Sequence, residues 1–373
     1  MKRFLVTLLS LMMLLSTAVY AETAAPQTDW SGVEWKNEDF RITSHLSPSH
    51  KLYTNFYEPL YKYIEEATGG KVTFTVFWAG ELVDLGQESD ALLDGLVDMA
   101  WPISPIYEGD KMKLTEVVTL PLTQSNSAVA SEAWKLLLES EVPLVNGKTF
   151  REYTFDDLGI KVLGPTISEA YTIGTVNKDF NTIDSIKSMK LRTGSRSQQL
   201  FTTTLGASAI TMPAADLFDS LSRGALDGAF LWVPDWPNYG LQNLFSKALE
   251  GLNCGHFPSV FAMSQTRWDS LQPELQQLLV EGANKFRLSG GQGVVDSYAE
   301  VKEEAIAMGV EFVQLGELPQ DVQEYFQDAM VKTWEDYIAL LESEGLPGKE
   351  LCLLWRDLVV QAGGEVPEAV MGM

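Results

Sequence analysis

The sequence predicts an α/β protein of two lobes with a ligand cleft between them and helices bracing both from the C-terminal side. Three observations predict it. From Phe40 to Trp101 the hydrophobic pattern alternates as β-α-β-α-β, the order of a parallel sheet with helices on its faces. A second strand–helix series runs from about Lys161 to Pro234. Roughly 350 residues remain after an N-terminal export signal, which is more than one ordinary core.

The signal is tripartite. Lys2 and Arg3 are basic, Phe4 to Leu15 is apolar, and Val19-Tyr20-Ala21 offers a small-residue cleavage site before Glu22. The apolar run is too short to span a bilayer, so a soluble exported protein is expected, most simply in a periplasm. The expected divisions are 1–21 signal, 22–37 linker, 38–164 the first part of lobe 1, and 165–253 lobe 2. Residues 254–373 then return to lobe 1 and supply the C-terminal helices.

In lobe 1, Phe40 to Thr43 alternates as a strand, and Pro48 breaks it. Leu52, Phe56, Leu60 and Ile64 mark a helix in which Pro59 should cause a kink or a restart. Thr68-Gly69-Gly70 stops that helix, and Lys71 to Trp78 is the next strand. A helix over Gln87–Leu93 and a strand over Val97 to Trp101 complete the unit. In the second series the strands are Lys161 to Leu163, Tyr171 to Val176, Met189 to Arg192, Ala209 to Thr211 and Gly228 to Val233. Helices over Ser195 to Leu205 and Ala214 to Arg223 lie between them. Beyond Pro273 the pattern is mostly helical, with Glu274 to Phe286 and Asp296 to Met308 flanking a break at Ser289-Gly290-Gly291. Asp321 to Leu341 is a further amphipathic helix.

A formal net charge of −24 excludes a nucleic-acid partner, which demands a basic face. It leaves an anionic small ligand open, because one buried arginine can dominate a closed pocket. Cys254 and Cys352 could pair in an oxidising compartment, but spacing alone cannot establish proximity. His45, His50 and His256 lack ligand spacing and read as structural; no metal and no cofactor is expected. No nucleophile elbow, phosphate loop or dinucleotide fingerprint stands in a suitable context. A hydrolase working through a carboxylate pair is the alternative class, and a ligand sensor for a membrane kinase a third.

The segment Met189-Lys190-Leu191-Arg192-Thr193-Gly194-Ser195 is the most informative. It reads as a strand ending in an arginine, then a glycine turn, then a serine able to cap the next helix. A strand end facing a helix N-terminus favours an anion, and the guanidinium fork matches a carboxylate. A surface ion pair is the other reading of Arg192. Trp78 and Trp101 end strands of the first lobe, and Phe230, Trp232 and Trp236 lie at the corresponding end in the second. Ligands of open α/β sheets sit beyond those ends. Strand alternation would aim either Phe230 with Trp232, or Leu231 with Val233, at the cleft.

The order of several short motifs resembles the solute-binding proteins of TRAP transporters, the DctP-type extracytoplasmic receptors. Its carriers are Ile64-Glu65-Glu66-Ala67-Thr68-Gly69-Gly70-Lys71-Val72, Leu92-Leu93-Asp94-Gly95-Leu96-Val97-Asp98-Met99 and Leu120-Pro121-Leu122. In the second lobe they are Met189 to Arg192, Leu205-Gly206-Ala207, Met212-Pro213, Leu221 to Gly228, and then Trp268-Asp269-Ser270-Leu271. The resemblance implies a receptor that closes around an organic acid, with Arg192 as the carboxylate clamp, and delivers it to the transporter's membrane subunits. It also implies departures. Thr172 stands where many relatives carry a second arginine, and Trp101-Pro102-Ile103-Ser104 where they carry an acid. Ala229-Phe230-Leu231-Trp232-Val233-Pro234 is closer to the keto-acid receptors, with Phe230 replacing their metal-binding acid. The expected ligand is therefore a monocarboxylate with an apolar, aromatic or keto-bearing body. Ser168, Tyr171, Thr172 and Ser195 would offer it hydroxyls.

Overall fold

The computed structural model describes residues 28–373. The signal at 1–21 and its cleavage site lie outside them. No described helix is long and apolar enough to cross a membrane. Residues 35–373 form one unit built on two mixed sheets, one in each lobe.

The strands are β1 (Glu38–Thr43), β2 (Val72–Phe77), β3 (Met99–Ile103), β4 (Ile160–Ile167), β5 (Thr172–Thr175), β6 (Lys190–Thr193), β7 (Ser208–Thr211), β8 (Gly228–Leu231), β9 (Lys247–Glu250), β10 (Pro258–Ser264) and β11 (Glu311–Gln314). The first sheet has the order β2-β1-β3-β10-β4 and the second β11-β9-β5-β8-β6-β7. The β-α-β-α-β expectation holds: β1 pairs in parallel with β2 (Phe40 opposite Phe74) and with β3 (Ile42 opposite Met99). Strand β10 then enters antiparallel between β3 and β4. In the second sheet β6 lies parallel to β7 and β8, so Arg192 stands opposite both Ile210 and Ala229. Strands β9 and β10 are absent from the sequence reading, and so is β11. Strand β11 pairs with β9 at the sheet edge, and its four residues are too few to show a period against the long helices around it.

Pro59 restarts a helix, as its ring requires. A π turn over Tyr53–Tyr57 precedes the α-helix Glu58–Ala67, which carries Pro59 in its first turn. The expected break at Ser289-Gly290-Gly291 does not exist, because one helix runs unbroken over Pro273–Ala307. Its glycines serve close packing instead. A Cβ on Gly290 would lie 2.4 Å from the Phe56 ring, and one on Gly282 would lie 2.6 Å from Leu60. This helix packs against β4 and the helices Glu58–Ala67 and Ser127–Glu139 of lobe 1, and against Val233–Tyr239 beyond β8.

The chain passes between the sheets three times, through 168–171, through 251–257 and through the helix Pro273–Ala307 that leads from β10 to β11, and the first two segments are hydrogen-bonded to each other. Ser168 N donates to Phe257 O (3.2 Å), Tyr171 N to Gly255 O (2.9 Å), and Cys254 N to Tyr171 O (3.0 Å). Gly255 has φ +76°, and a Cβ there would meet Thr119 backbone at 2.3 Å, so only glycine fits. Cys254 and Cys352 are both buried and both free. The possible disulfide does not form: Cys254 lies in the second crossing, whereas Cys352 belongs to the lobe 1 core.

Candidate ligand-binding site

A cavity of about 320 Å³ lies between the lobes, at the lower end of the roughly 300–1,000 Å³ usual for small-molecule sites. Arg192, at the C-terminal end of β6, is 1% exposed and lines it. Its Nε donates to Met212 O (2.8 Å), Nη1 to Phe230 O (2.9 Å), and Nη2 to the Tyr107 hydroxyl (3.2 Å). Gly194 makes room for the guanidinium, since a Cβ there would sit 3.2 Å from Nη2. Among the described residues no carboxylate forms an ion pair with Arg192, so the surface ion-pair reading falls away. Its hydrogen-bond partners are two carbonyls and a phenol, all neutral.

The helix N-terminus beside it does something else. Ser195 caps the helix Arg196–Thr204, its Oγ accepting from Gln198 N (3.2 Å). Gly194 N donates to Gln198 Oε1 (2.8 Å), and Arg196 N to Glu116 Oε2 (2.7 Å). The anion at this helix end is therefore the protein's own Glu116, reached from lobe 1. Burial pushes the Glu116 carboxyl up, and the Arg196 charge, 3.0 Å away at Nε, opposes that push. Ser195 is a helix cap and does not line the cavity.

Of the residues expected around the ligand, the structure brings Arg192, Tyr171 and Trp232 to the cavity wall. The others are engaged elsewhere. Thr172 Oγ1 donates to Leu249 O, and the residue opens on a separate cavity of about 370 Å³ with Glu169, Glu250 and Tyr298. Ser168 Oγ ties the two crossings, donating to Glu169 O (2.7 Å) and accepting from Phe257 N (2.9 Å). Phe230 gives Arg192 its carbonyl while its ring meets Phe201 edge-on at 6.2 Å. Trp101 lies against Tyr57 with ring centroids 3.8 Å apart and the planes tilted by 38°, and Trp78 meets Tyr53 at 4.6 Å, both within lobe 1. Trp236 packs on Phe245 and Phe312 in the second lobe. Neither alternation set holds, because β8 ends at Leu231 and a 3₁₀ turn begins at Val233. The consecutive residues Leu231 and Trp232 both reach the cavity.

The wall also holds residues that the sequence reading did not assign to it. Tyr107, Tyr239, Phe257, His45, His50 and Asp235 line it, so two of the three histidines belong to the site. His50 Nε2 lies 2.9 Å from Asp235 Oδ1, and the His50 ring lies 5.8 Å from Trp232. His45 Nδ1 lies 3.0 Å from Glu88 Oε1. Burial pushes the Tyr171 hydroxyl well up, against the Arg192 charge, so the phenol stays a neutral donor. Tyr239 is raised for the same reason, with the Asp235 charge adding to it. The rule that selected tryptophans at strand ends would also have found His45 and His50 after β1 and Tyr107 after β3.

Residues 43–340 match the family model of the bacterial extracellular solute-binding proteins, family 7, also known as DctP. The chain belongs to that family. Family 7 proteins are extracytoplasmic receptors of TRAP transporters, and this member shares their two-lobed fold. A monocarboxylate 2-oxoacid-binding periplasmic protein of Nostoc sp. is 25% identical over 221 residues, 59% of this chain and 57% of that one. A marine metagenome TRAP solute-binding protein specific for aromatic acids, solved with metahydroxyphenylacetate, superposes with TM-score 0.78. It is 19% identical, over 87% of this chain and 99% of that one. A Sulfitobacter receptor holding β-D-galacturonate gives TM-score 0.70 at 22% identity, over 86% and 99%. At such identities the superpositions speak for the fold alone, and this family 7 receptor's ligand must be argued from its own cavity.

Proposed function

We propose that this receptor captures an organic monocarboxylate with an apolar, aromatic or keto-bearing body and hands it to the membrane subunits of a TRAP transporter. The observation that carries the reading is the buried Arg192 guanidinium, bonded to two carbonyls and a phenol. Holding that charge away from water costs several kcal/mol unless an anion joins it. Arg192 is the one Arg or Lys among the residues lining the cavity, so a second carboxylate would meet Asp235 instead of a cation. Trp232, Leu231, Leu52 and Phe257 give the ligand's body apolar walls. A ring against them gains about 0.5–1.5 kcal/mol beyond its area burial. Thr172 is no part of this support, because it faces the other cavity. The Nostoc relative binds monocarboxylate 2-oxoacids and the metagenome protein aromatic acids, which agrees with the reading; the galacturonate receptor represents the competing class.

Capture works by closure. Arg192 and Asp235 come from lobe 2, Tyr107 and His50 from lobe 1, and a ligand touching both sides favours the closed state. Moving a 1:99 population to 99:1 takes ~5.5 kcal/mol of preference. A buried carboxylate–guanidinium link together with an apolar body supplies energy of that order. The acid is held and released unchanged, without catalysis. A thermal-shift screen of aromatic and aliphatic monocarboxylates against dicarboxylates and sugar acids tests the proposal. Stabilisation by monocarboxylates is expected. Stabilisation by succinate or a uronate alone would overturn it.

A further inference from the structure

Asp235 presents an acceptor that closure does not use up. It is buried at 4% exposure and lines the cavity on the segment after β8. Its Oδ1 takes both of its protein contacts: Asn238 Nδ2 donates to it at 2.7 Å, and His50 Nε2 lies 2.9 Å away. The His50 tautomer is set by the backbone, because its Nδ1 accepts from Leu52 N at 3.2 Å and leaves the proton on Nε2. The imidazole therefore donates across the lobe boundary and fixes the carboxylate's orientation. Among the described residues Oδ2 has no hydrogen bond. Oδ2 is thus the carboxylate oxygen left free for the cavity, where a donor on a bound ligand can reach it.

We propose that Asp235 is a specificity residue whose Oδ2 accepts a hydrogen bond from a hydroxyl on the ligand's body, so that the receptor selects hydroxylated monocarboxylates over their unsubstituted parents. The inference rests on Arg192 holding the ligand's carboxylate, as proposed above. Arg192 and two acids, Asp84 and Asp235, divide the cavity. Asp235 repels a carboxylate and Arg192 draws it, so the acid lies with its anionic end at β6 and its body toward Asp235. Asn238 holds Oδ1 from within lobe 2, and His50 adds a second donor from lobe 1, so closure completes the alignment of the acceptor. A hydrogen bond to a charged partner corresponds to roughly a tenfold or greater preference.

Calorimetry with benzoate, the hydroxybenzoates and the matching methoxybenzoates tests it, in the full receptor and in Asp235→Asn. The expected result is that at least one hydroxybenzoate binds tenfold or more tightly than benzoate, that its methoxy analogue loses this gain, and that the ratio collapses toward one in Asp235→Asn. Equal affinity for benzoate and every hydroxybenzoate would overturn the inference while leaving the monocarboxylate reading intact. So would a hydroxyl preference that survives Asp235→Asn. If that variant fails to fold, the methoxy arm decides, since a methoxy acid binding as well as its hydroxy counterpart shows that no proton is donated. Failure of all these acids to bind would overturn the inference, and the aliphatic and keto acids of the thermal-shift screen would then decide the monocarboxylate reading separately.

Discussion

The hydroxyl of Tyr107 accepts a hydrogen bond from Arg192 Nη2 at 3.2 Å, so the proposed carboxylate clamp of lobe 2 is held by a side chain of lobe 1. Anchor and closure are thereby joined in one contact. Tyr107→Phe removes the acceptor and keeps the ring that lies 6.1 Å from Phe257. Affinity for the acid should fall about fivefold, near 1 kcal/mol, with thermal stability little altered. Calorimetry on the variant checks this, and an unchanged Kd would mean that the contact contributes nothing to closure.

Arg192→Lys keeps a charge but loses the planar fork, and affinity should drop at least tenfold, ~1.4 kcal/mol or more. Arg192→Ala should abolish binding at micromolar ligand. That variant also strips a donor from the buried Phe230 carbonyl, at a cost to folding of about 1–3 kcal/mol, and another from the part-buried carbonyl of Met212. The lysine variant is therefore the cleaner probe. Binding that survives both substitutions would place the anchor elsewhere.

Gly290→Ala should destabilise the protein, although alanine normally gains about 1 kcal/mol over glycine inside a helix. The added methyl meets the Phe56 ring at 2.4 Å, and overpacking of this kind costs about 1–3 kcal/mol. Chemical denaturation measures it, and Phe56→Leu in the same chain should recover part of the loss. A stabilised Gly290→Ala would show that the helix can move away from Phe56 freely.

His256 contributes to the acid limb of stability. Its ring is wholly buried between the crossings, with Nδ1 3.0 Å from Ser168 O and Nε2 3.0 Å from Ser125 Oγ. Burial lowers its pKa from 6.5 to about 4, the Ser168 carbonyl opposing. The unfolded chain binds the proton first, so this contribution is complete above pH 6.5 and is lost as pH falls toward 4. The loss is roughly 3 kcal/mol. Glu108, Glu116 and Glu169, which burial pushes up, change in the opposite sense, so the comparison must be with His256→Gln. The advantage of the parent over that variant should shrink between pH 6.5 and 4. A constant difference would contradict the neutral buried ring.

The parts of the fold legible in the sequence were those with strong periods or marked ends. Phe40 with Ile42, the restart at Pro59 and the Ser195 cap each follow from local chemistry that tertiary packing leaves in place. What stayed hidden depends on distant partners. Gly290 and Gly291 read as a break because nothing local reveals Phe56 and Ala128 against that face of the helix. In the site, Arg192 was legible from its strand end and its glycine turn. Thr172 was misplaced because a count of residues gives a position along β5 but not the cavity its side chain enters. His50 and Asp235 lie some 185 residues apart in the sequence and become partners only when the lobes meet.

The position of β10 sets an order on how this chain can be made. It lies between β3 and β4, and β4 pairs with no other strand among the described residues. During synthesis, residues 172–250 of the second sheet leave the ribosome before 258–264 can join the two parts of the first. A nascent chain ending near residue 257 thus has its first sheet split, with β4 unpaired and the core around Trp134 lacking the Ser259 carbonyl that its indole nitrogen bonds at 3.1 Å. Pairings of such long sequence separation form late and slowly. The first sheet of this two-lobed fold is therefore completed by a strand that follows most of the second sheet in the chain.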